Sequence, residues 1–466
     1  MKNRKQPLIT ILAMLLALAT LLAACSAGGQ EPPPSQEPAP TPAPGQEQEI
    51  DPDKEVLVFA QLSGSNSEQS VRRDVIDRFN RSHDDVQIVV KDYSLTATDD
   101  QGPDRLLVEM ASGQVPDIID LGGSLPLYQM VKKGYLEDLW PYIENDPELG
   151  REGVLEAPLK LSEVDGGLYM LFGSVGIETL IGSAEVVGDR TSWTLRDLQD
   201  AFAAMPEGST VLSFDTSRSA ISGSLLRYAA GAYVDREAGT CSFDDPSFRS
   251  MLEFIQTFPT DDEVNKETAG LGDAWDALIE EARARQRKGL QLLEELTYLS
   301  LDRLAYWDAL WGGRCAFVGY PVEDGSVGSM FRPGGPQLGI SSSCGNKEAA
   351  WEFVRTVMTN LSDSQSVIPL ERDAYEVKKN TAMTVKTILD INYVTNEELT
   401  APPLTEERVR EFEDFFNSID KICIWDLSLM NLIHEICDPY FAGAKDLDET
   451  IRLLQNRVGL YLSEQM

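Results

Sequence analysis

The sequence predicts an α/β protein with more than one lobe, and three observations point to it. Short apolar runs at 55–60, 86–90 and 116–121 are typical of buried strands. Amphipathic helical segments separate these runs, and such alternation favours a mainly parallel sheet covered by helices. The chain has 466 residues, whereas a single hydrophobic core stops growing at roughly 250–300 residues. We therefore expect at least two lobes.

The elements of the N-terminal half have their own local signals. A capping box at 65–68 is expected to open the helix after the first strand, and Val75 and Phe79 lie on its apolar face. The helix before the third strand is expected to end near Gly113, because glycine is the preferred residue just past a helix C-terminus.

The C-terminal half is predicted to be richer in helix. Thr194 is placed to cap a helix through Leu198, and Asp245 followed by Pro246 is placed to open another. Residues 270–312 contain a long amphipathic, leucine-rich stretch that we interpret as helical.

The charge of the chain narrows its possible partners. Its 40 Lys+Arg and 76 Asp+Glu give a net charge of −36, which disfavours binding to nucleic-acid phosphates and to anionic lipid headgroups. The hydrophobic fraction of 42% is ordinary for globular proteins. Neutral or cationic solutes remain as partners.

The sequence nominates no catalytic residue, metal ligand or cofactor. Its two histidines, His83 and His434, offer little material for His-based chemistry. The segment HEICD at 434–438 lacks the second histidine of a zinc-protease helix, and a helix surface is the simpler interpretation. No P-loop, dinucleotide-binding or nucleophile-elbow motif occurs. Carboxylates are too numerous for spacing alone to identify a glycosidase pair, so catalysis is unsupported rather than excluded.

The first residues are typical of a secretory signal peptide, predicted at 1–24. A basic start is followed by an apolar run that ends in small residues. The segment LAACS at 22–26 resembles the lipobox of bacterial lipoproteins. That resemblance implies that Cys25 is lipidated, becomes the mature N-terminus and anchors the protein to the extracytoplasmic face of the cell membrane. The alternative is an ordinary signal peptide that happens to precede a cysteine.

Residues 25–53 are predicted to form a tether after the anchor. Eight of the 22 positions in 31–52 are proline, and Ile50 is the one large apolar residue there. Such a segment cannot bury enough apolar surface to offset the entropy of ordering it, so we expect an extended spacer.

Five cysteines lie beyond Cys25. Their odd number leaves at least one unpaired, and no CxxC motif suggests a zinc or redox site. We expect most of them to act as small buried hydrophobes, and their pairing stays open. They are Cys241, Cys315, Cys344, Cys423 and Cys437.

Several segments together resemble the extracellular solute-binding proteins of bacterial ABC importers, in the sugar-binding group that includes maltose-binding protein. Each segment is weak alone, but their order and spacing are specific. The segments are VPDII at 115–119, GYLEDLWPYI at 134–143, GLYMLF at 167–172, SWTLRDL at 192–198, GRCAFVGYP at 313–321, LGIS at 338–341, NKEAAWEF at 346–353 and IPLERDA at 368–374.

The resemblance implies a two-lobed periplasmic-binding-protein-like fold of type II, with a cleft between the lobes and a hinge. It implies an N-lobe of 54–173 plus 338–370 and a C-lobe of 174–337 plus 371–466. The implied function is capture of a neutral solute, a mono- or oligosaccharide, and its delivery to the permease subunits of an ABC transporter. We expect a monomer that is not an enzyme.

Crossing strands between two such lobes must absorb backbone rotation when the lobes move. Gly173, Gly176 and the stretch around Gly339 are therefore candidate hinge positions. The alternative is that these glycines only mark turns.

The ligand site is expected beyond the carboxyl ends of the strands. Aromatic side chains that could stack on a sugar face are further candidates for this site. The candidate residues are Gln61, Ser63, Gly122, Gly123, Ser124, Phe172, Asp215, Arg218, Tyr320 and Trp425. The segment 167–172 lacks the proline that this family has there.

Two other classes of function fit the same sequence. An extracellular carbohydrate-active enzyme would need a pair of carboxylates in the cleft. A surface sensor or adhesin lipoprotein would keep the fold without serving a transporter. A polyamine or peptide ligand is also compatible with the acidic surface, although net charge describes the whole surface rather than the cleft.

Overall fold

The computed structural model describes residues 50–62, 70–94, 101–122, 125–213, 216–236, 238–268, 275–360, 367–391, 398–423 and 426–464. The predicted signal peptide, Cys25 and the tether up to residue 49 lie outside these ranges. Within the described part of the chain, no helix is both long enough and apolar enough to cross a bilayer.

The N-terminal third alternates strands and helices as predicted. Its elements are β1 (Glu55–Gln61), α1 (Arg73–Ser82), β2 (Val86–Asp92), α2 (Gly102–Ala111), β3 (Ile118–Asp120), α3 (Leu127–Lys132), α4 (Trp140–Asn145) and α5 (Glu156–Leu161). Helix α1 buries Val75 and Phe79 as expected, but it begins at Arg73, and the residues 65–68 expected to cap it lie outside the described ranges.

The middle of the chain confirms both predicted helix starts. Its elements are β4 (Leu171–Ser183), α6 (Ala184–Val187), α7 (Leu195–Ala203), α8 (Arg218–Ala232), β5 (Val234–Asp235), β6 (Thr240–Cys241), α9 (Pro246–Gln256), α10 (Asp261–Thr268) and α11 (Trp275–Arg287). Thr194 and Asp197 form a reciprocal capping box at α7. Asp245 caps α9 by accepting a hydrogen bond from the Ser247 backbone N–H.

The last third contains six strands and six helices among the described residues. Its elements are β7 (Leu293–Leu299), α12 (Leu301–Leu310), β8 (Cys315–Phe317), β9 (Met330–Ile340), α13 (Lys347–Thr359), β10 (Ile368–Pro369), α14 (Arg372–Thr384), β11 (Thr387–Ile391), β12 (Glu398–Ala401), α15 (Glu406–Ser418), α16 (Leu427–Phe441) and α17 (Leu447–Ser463).

The helical interpretation of 270–312 is wrong in its centre, where β7 is a strand. Leu293, Leu296 and Leu299 are buried at a spacing of three, which imitates a helical face. The segment instead pairs antiparallel with β4, with a register irregularity between Ile177 and Thr179. The backbone hydrogen bonds of that pairing decide that the segment is a strand. A local sequence pattern does not show that a distant strand pairs with it.

One eight-stranded sheet runs through the molecule in the order β10-β4-β9-β3-β1-β2, and β7 and β8 also pair with β4. Strand β1 pairs parallel with β2 and β3. The pairings of β4 and β9 are antiparallel. The sheet was expected to be mainly parallel, but among its described strands it is parallel only at the edge formed by β3, β1 and β2.

Two hydrophobic cores define two lobes. In the first lobe, β1–β3, α1–α5 and α12–α15 enclose one core, which contains Phe59 and Phe353. In the second lobe, α6–α9, α16 and α17 enclose the other, which contains Leu225 and Ile433. The predicted two-lobed α/β fold is thus confirmed. Helices α12, α14 and α15, which fall within the predicted C-lobe, pack with the first core, and the exact lobe boundaries stay a prediction.

Strands β4 and β9 connect the two cores. All 13 residues of β4 are buried. Leu171 lies in the first core and Leu180 in the second. Strand β9 places Met330 in the second core and Leu338 in the first. These are the crossing strands of the fold.

The crossing strands contain glycines where neighbouring groups come close. A Cβ atom on Gly176 would lie 2.4 Å from Cδ1 of Tyr298, and one on Gly339 would lie 2.7 Å from Cδ1 of Leu121. Both glycines lie within strands rather than turns. Close packing therefore accounts for them, and their role as hinges stays a prediction.

The five described cysteines are unbridged. Cys315, Cys344 and Cys437 are buried, which confirms the interpretation of most of them as small apolar residues.

Candidate functional site

A cavity of about 390 Å³ lies between the two lobes, within the usual size range of small-molecule sites. Its first wall comes from α3 and the segment that follows α5. Its second wall comes from the end of α8, β5 and the start of α16, and residues 420–423 line it as well. The described lining residues used below are Tyr128, Lys132, Glu163, Asp165, Arg227, Asp235, Arg236, Asp420, Lys421, Cys423 and Asp426.

A tight turn shapes the first wall. Val164 and Gly167 exchange two backbone hydrogen bonds around Asp165 and Gly166, whose φ angles are +51° and +80°. An Asp-Gly pair with both φ values positive is typical of a two-residue hairpin loop. The turn directs Asp165 toward α3, where Lys132 Nζ lies 2.9 Å from its carboxylate. The dipeptide Asp165-Gly166 is the sequence signal that predicts this turn.

The second wall carries a fixed ion pair. Arg236 Nη1 donates to Asp426 Oδ2 at 2.8 Å, and the two side chains are 15% and 13% exposed. The Tyr461 hydroxyl donates to the same carboxylate, 2.9 and 3.0 Å from its two oxygens. Asp426 also accepts from the Leu429 backbone N–H, which caps α16. These contacts hold the Arg236 guanidinium at the cavity.

Arg227 links the cavity to a crossing strand. Its Nε donates at 2.9 Å to Oε1 of Glu178 on β4, a side chain with no solvent exposure. Burial raises the pKa of Glu178, and the nearby Arg227 and Arg332 guanidiniums oppose that rise. Arg332 Nη1 lies 3.7 Å from the other carboxylate oxygen. Arg227 therefore serves both as a cavity wall and as the main counter-ion of a buried carboxylate.

Two predicted site residues lie together at the carboxyl edge of the sheet. Asp120, the last residue of β3, accepts from the backbone N–H groups of Leu62 and Gly122 at 3.2 and 3.0 Å. It thereby joins the end of β1, where Gln61 lies, to Gly122. Asp120 was missed by sequence reasoning, although an acid at the end of an apolar strand was a visible signal.

Two predicted aromatic residues lie inside the cores. Phe172 is 1% exposed in the first core and Tyr320 is 0% exposed in the second. The Tyr320 hydroxyl donates to Glu295 Oε1 at 2.6 Å, and burial raises the pKa of Tyr320 well above its ordinary value. Neither side chain presents surface to a solute in this conformation.

The Arg218 side chain binds backbone carbonyl groups of the second lobe. Its guanidinium donates to the carbonyl oxygens of Gln256, Phe258 and Phe441 at 2.8–3.2 Å. These carbonyls lie at the ends of α9 and α16, so the side chain satisfies acceptors that helix termini leave open.

The predicted site and the cavity walls do not coincide among the described residues. Gln61, Gly122, Phe172, Arg218 and Tyr320 are absent from the described lining of the cavity. Ser63, Gly123, Ser124, Asp215 and Trp425 lie outside the described residues. A ligand role for these ten residues stays a prediction.

Within the described residues, no cluster of three or more His, Cys, Asp or Glu side chains is placed to hold a metal ion. His434 Nδ1 lies 3.8 Å from Asp438 Oδ1 on one face of α16.

Comparison with known proteins identifies the fold. No family model matches the sequence, and no curated protein matches it. Among solved structures, the sugar-binding protein MalE from Xanthomonas citri matches with a TM-score of 0.52 at 14% identity, over 88% of this chain and 98% of that one. The galacto-N-biose-/lacto-N-biose I-binding protein of an ABC transporter from Bifidobacterium longum matches with a TM-score of 0.50 at 16% identity, over 89% and 98%.

The chain therefore has the two-lobed fold of the extracellular sugar-binding proteins of ABC transporters. This confirms, at the level of fold, the resemblance carried by the sequence segments between 115 and 374.

Proposed function

We propose that the protein is a lipid-anchored extracellular solute-binding protein that captures a neutral solute and delivers it to an ABC permease. The observation that carries the proposal is the cavity of about 390 Å³ between two lobes that crossing strands connect. The structurally similar proteins are named as a sugar-binding protein and as a galacto-N-biose-/lacto-N-biose I-binding protein. A mono- or oligosaccharide is therefore the proposed class of solute.

The charges of the cavity argue against an anionic solute. Each of the four cations among the described lining residues lies close to a carboxylate, so an anion would meet no unmatched cation there, whereas the lining carboxylates Glu163 and Asp235 belong to none of these pairs. The pairs are Lys132–Asp165 at 2.9 Å, Arg227–Glu178 at 2.9 Å, Arg236–Asp426 at 2.8 Å and Lys421–Asp420 at 3.3 Å.

The same groups suit hydroxyl recognition. Paired carboxylates keep acceptor sites beyond those used by one cation, and guanidinium groups carry several donors. Tyr128 adds a half-buried aromatic ring to the wall, and such a ring can cover the apolar face of a sugar. The cavity thus combines a few polar groups with an aromatic surface.

The proposed mechanism is capture followed by rotation of the lobes about β4 and β9, without bond chemistry. The closed form would then dock on the permease. The anchor at Cys25 is proposed from the lipobox alone, and Cys25→Ser should release the protein from membranes. A Cys25→Ser variant that still sediments with membranes would refute the anchor.

The test of solute capture is thermal unfolding of the mature chain carrying Cys25→Ser. The panel contains oligosaccharides, amino acids, peptides and polyamines. A ligand at 100 times its Kd stabilises the folded state by about 2.7 kcal/mol, which should raise the unfolding midpoint measurably. We expect a shift with one class of sugar. A shift only with cationic solutes would overturn the sugar assignment, and no shift with any solute would favour the sensor or adhesin function.

A further inference from the structure

One side chain spans the cavity from one lobe to the other. The Arg236 guanidinium carbon lies 5.1 Å from the centre of the Tyr128 ring, within the range of a cation–π contact. Tyr128 packs against the core of the first lobe. Arg236 follows β5, whose Val234 packs against the core of the second.

The arginine is held in place by its own lobe. Asp426 pairs with it at 2.8 Å and is itself fixed by the Tyr461 hydroxyl and by the start of α16. Tyr461 packs against the second core. The anchoring contacts therefore stay intact whether or not the first lobe is near. Among the contacts of Arg236 with described residues, the one with Tyr128 depends on the distance between the lobes.

We propose that Arg236 is an interlobe latch, in which Asp426 and Tyr461 present the guanidinium to Tyr128 and so stabilise the closed arrangement of the lobes. This inference rests on the proposed capture of solute by lobe closure. An interaction made in only one of two states shifts the equilibrium toward that state. The latch therefore raises the population of closed molecules, and with it the apparent affinity for solute.

Cys423 offers a native probe of closure. Its side chain lines the cavity and is half-buried in this arrangement of the lobes, so its alkylation rate should rise when the lobes separate and expose more of the thiol. Cys241 serves as the internal reference, because its thiol faces the backbone of Gln455 within the second lobe. Peptide mass spectrometry resolves the alkylation rates of the two cysteines in one sample.

The experiment measures these rates in the mature chain with Cys25→Ser and without added solute. Tyr128→Leu removes the ring and leaves the Arg236–Asp426 pair, and we expect it to raise the Cys423 rate about fivefold, the factor typical of a partly buried cation–π contact. Arg236→Gln should also raise the rate, but by a smaller factor. Burial raises the pKa of the Cys423 thiol and the Arg236 guanidinium opposes that rise, so its removal leaves less reactive thiolate. Tyr128→Phe keeps the ring and should match the wild type.

The control is Arg457→Gln, which breaks an exposed ion pair with Glu435 on the second lobe and should leave both rates unchanged. An unchanged Cys423 rate in Tyr128→Leu, with the Cys241 rate and the unfolding midpoint preserved, would overturn the latch. So would acceleration by Arg236→Gln alone, because Arg236 would then act only within its lobe. Solute is not needed, so failure of the latch is separable from failure of solute binding in the thermal-unfolding panel.

Discussion

Replacing Arg227 by methionine tests whether the buried Glu178 depends on its counter-ion. Glu178 has no solvent exposure, and Arg227 Nε lies 2.9 Å from its carboxylate. Removing one partner of a buried ion pair typically costs 3–5 kcal/mol, because the other charge is left without compensation. Arg332 remains at 3.7 Å, so we expect a loss near the lower limit, about 3 kcal/mol.

The assay is urea unfolding followed by circular dichroism at pH 7. The double variant Glu178→Gln, Arg227→Met should recover most of the lost free energy of unfolding, since it leaves no buried carboxylate to compensate. The matched control is Arg457→Met, whose ion pair is 46% and 64% exposed and should be worth at most about 1 kcal/mol. If Arg227→Met matches this control, or if the double variant is no more stable than the single one, the reasoning is refuted.

The remaining predictions concern the same strands and cores. Burial raises the pKa of Glu178 in the folded state, so its contribution to stability is present at low pH and is lost as pH rises through that raised pKa. The difference in unfolding free energy between wild type and Glu178→Gln should therefore fall with rising pH, and a flat difference from pH 4 to pH 8 would contradict the shift. Gly176→Ala places a Cβ atom 2.4 Å from the Tyr298 ring and 2.8 Å from its Cα atom and should destabilise the fold by about 1–3 kcal/mol in urea unfolding; a neutral result would contradict the close packing of β4 against β7. Tyr320→Phe removes the donor to Glu295 at 2.6 Å and should cost about 1–2 kcal/mol without changing solute affinity, since Tyr320 is 0% exposed. A tenfold loss of affinity in isothermal titration would return Tyr320 to the solute site.

Local sequence patterns predicted most of the elements that depend on neighbouring residues. The apolar runs became β1, β2 and β3, and Thr194 caps α7 through a hydrogen bond that spans three residues. These features depend on groups close together in the chain, so a short window contains their cause. The resemblance over 115–374 also predicted the two lobes.

Patterns failed where a distant partner decided the outcome. The leucines of β7 have a spacing compatible with a helix, yet pairing with β4 makes a strand. Tyr320 follows a strand, and the local pattern did not show that the second lobe encloses it. Periodicity shows that a face is buried, but it does not show what covers that face.

The sequence by itself determined the α/β class and the two lobes, and it predicts the signal peptide and lipid anchor at the N-terminus. Only the tertiary structure decided the cavity and its walls. Arg236 and Asp426 are 190 positions apart, and Tyr128 comes from the other lobe. The physical reason is that β4 and β9 pass from one core to the other, and the path of these two strands sets which distant side chains meet across the cleft.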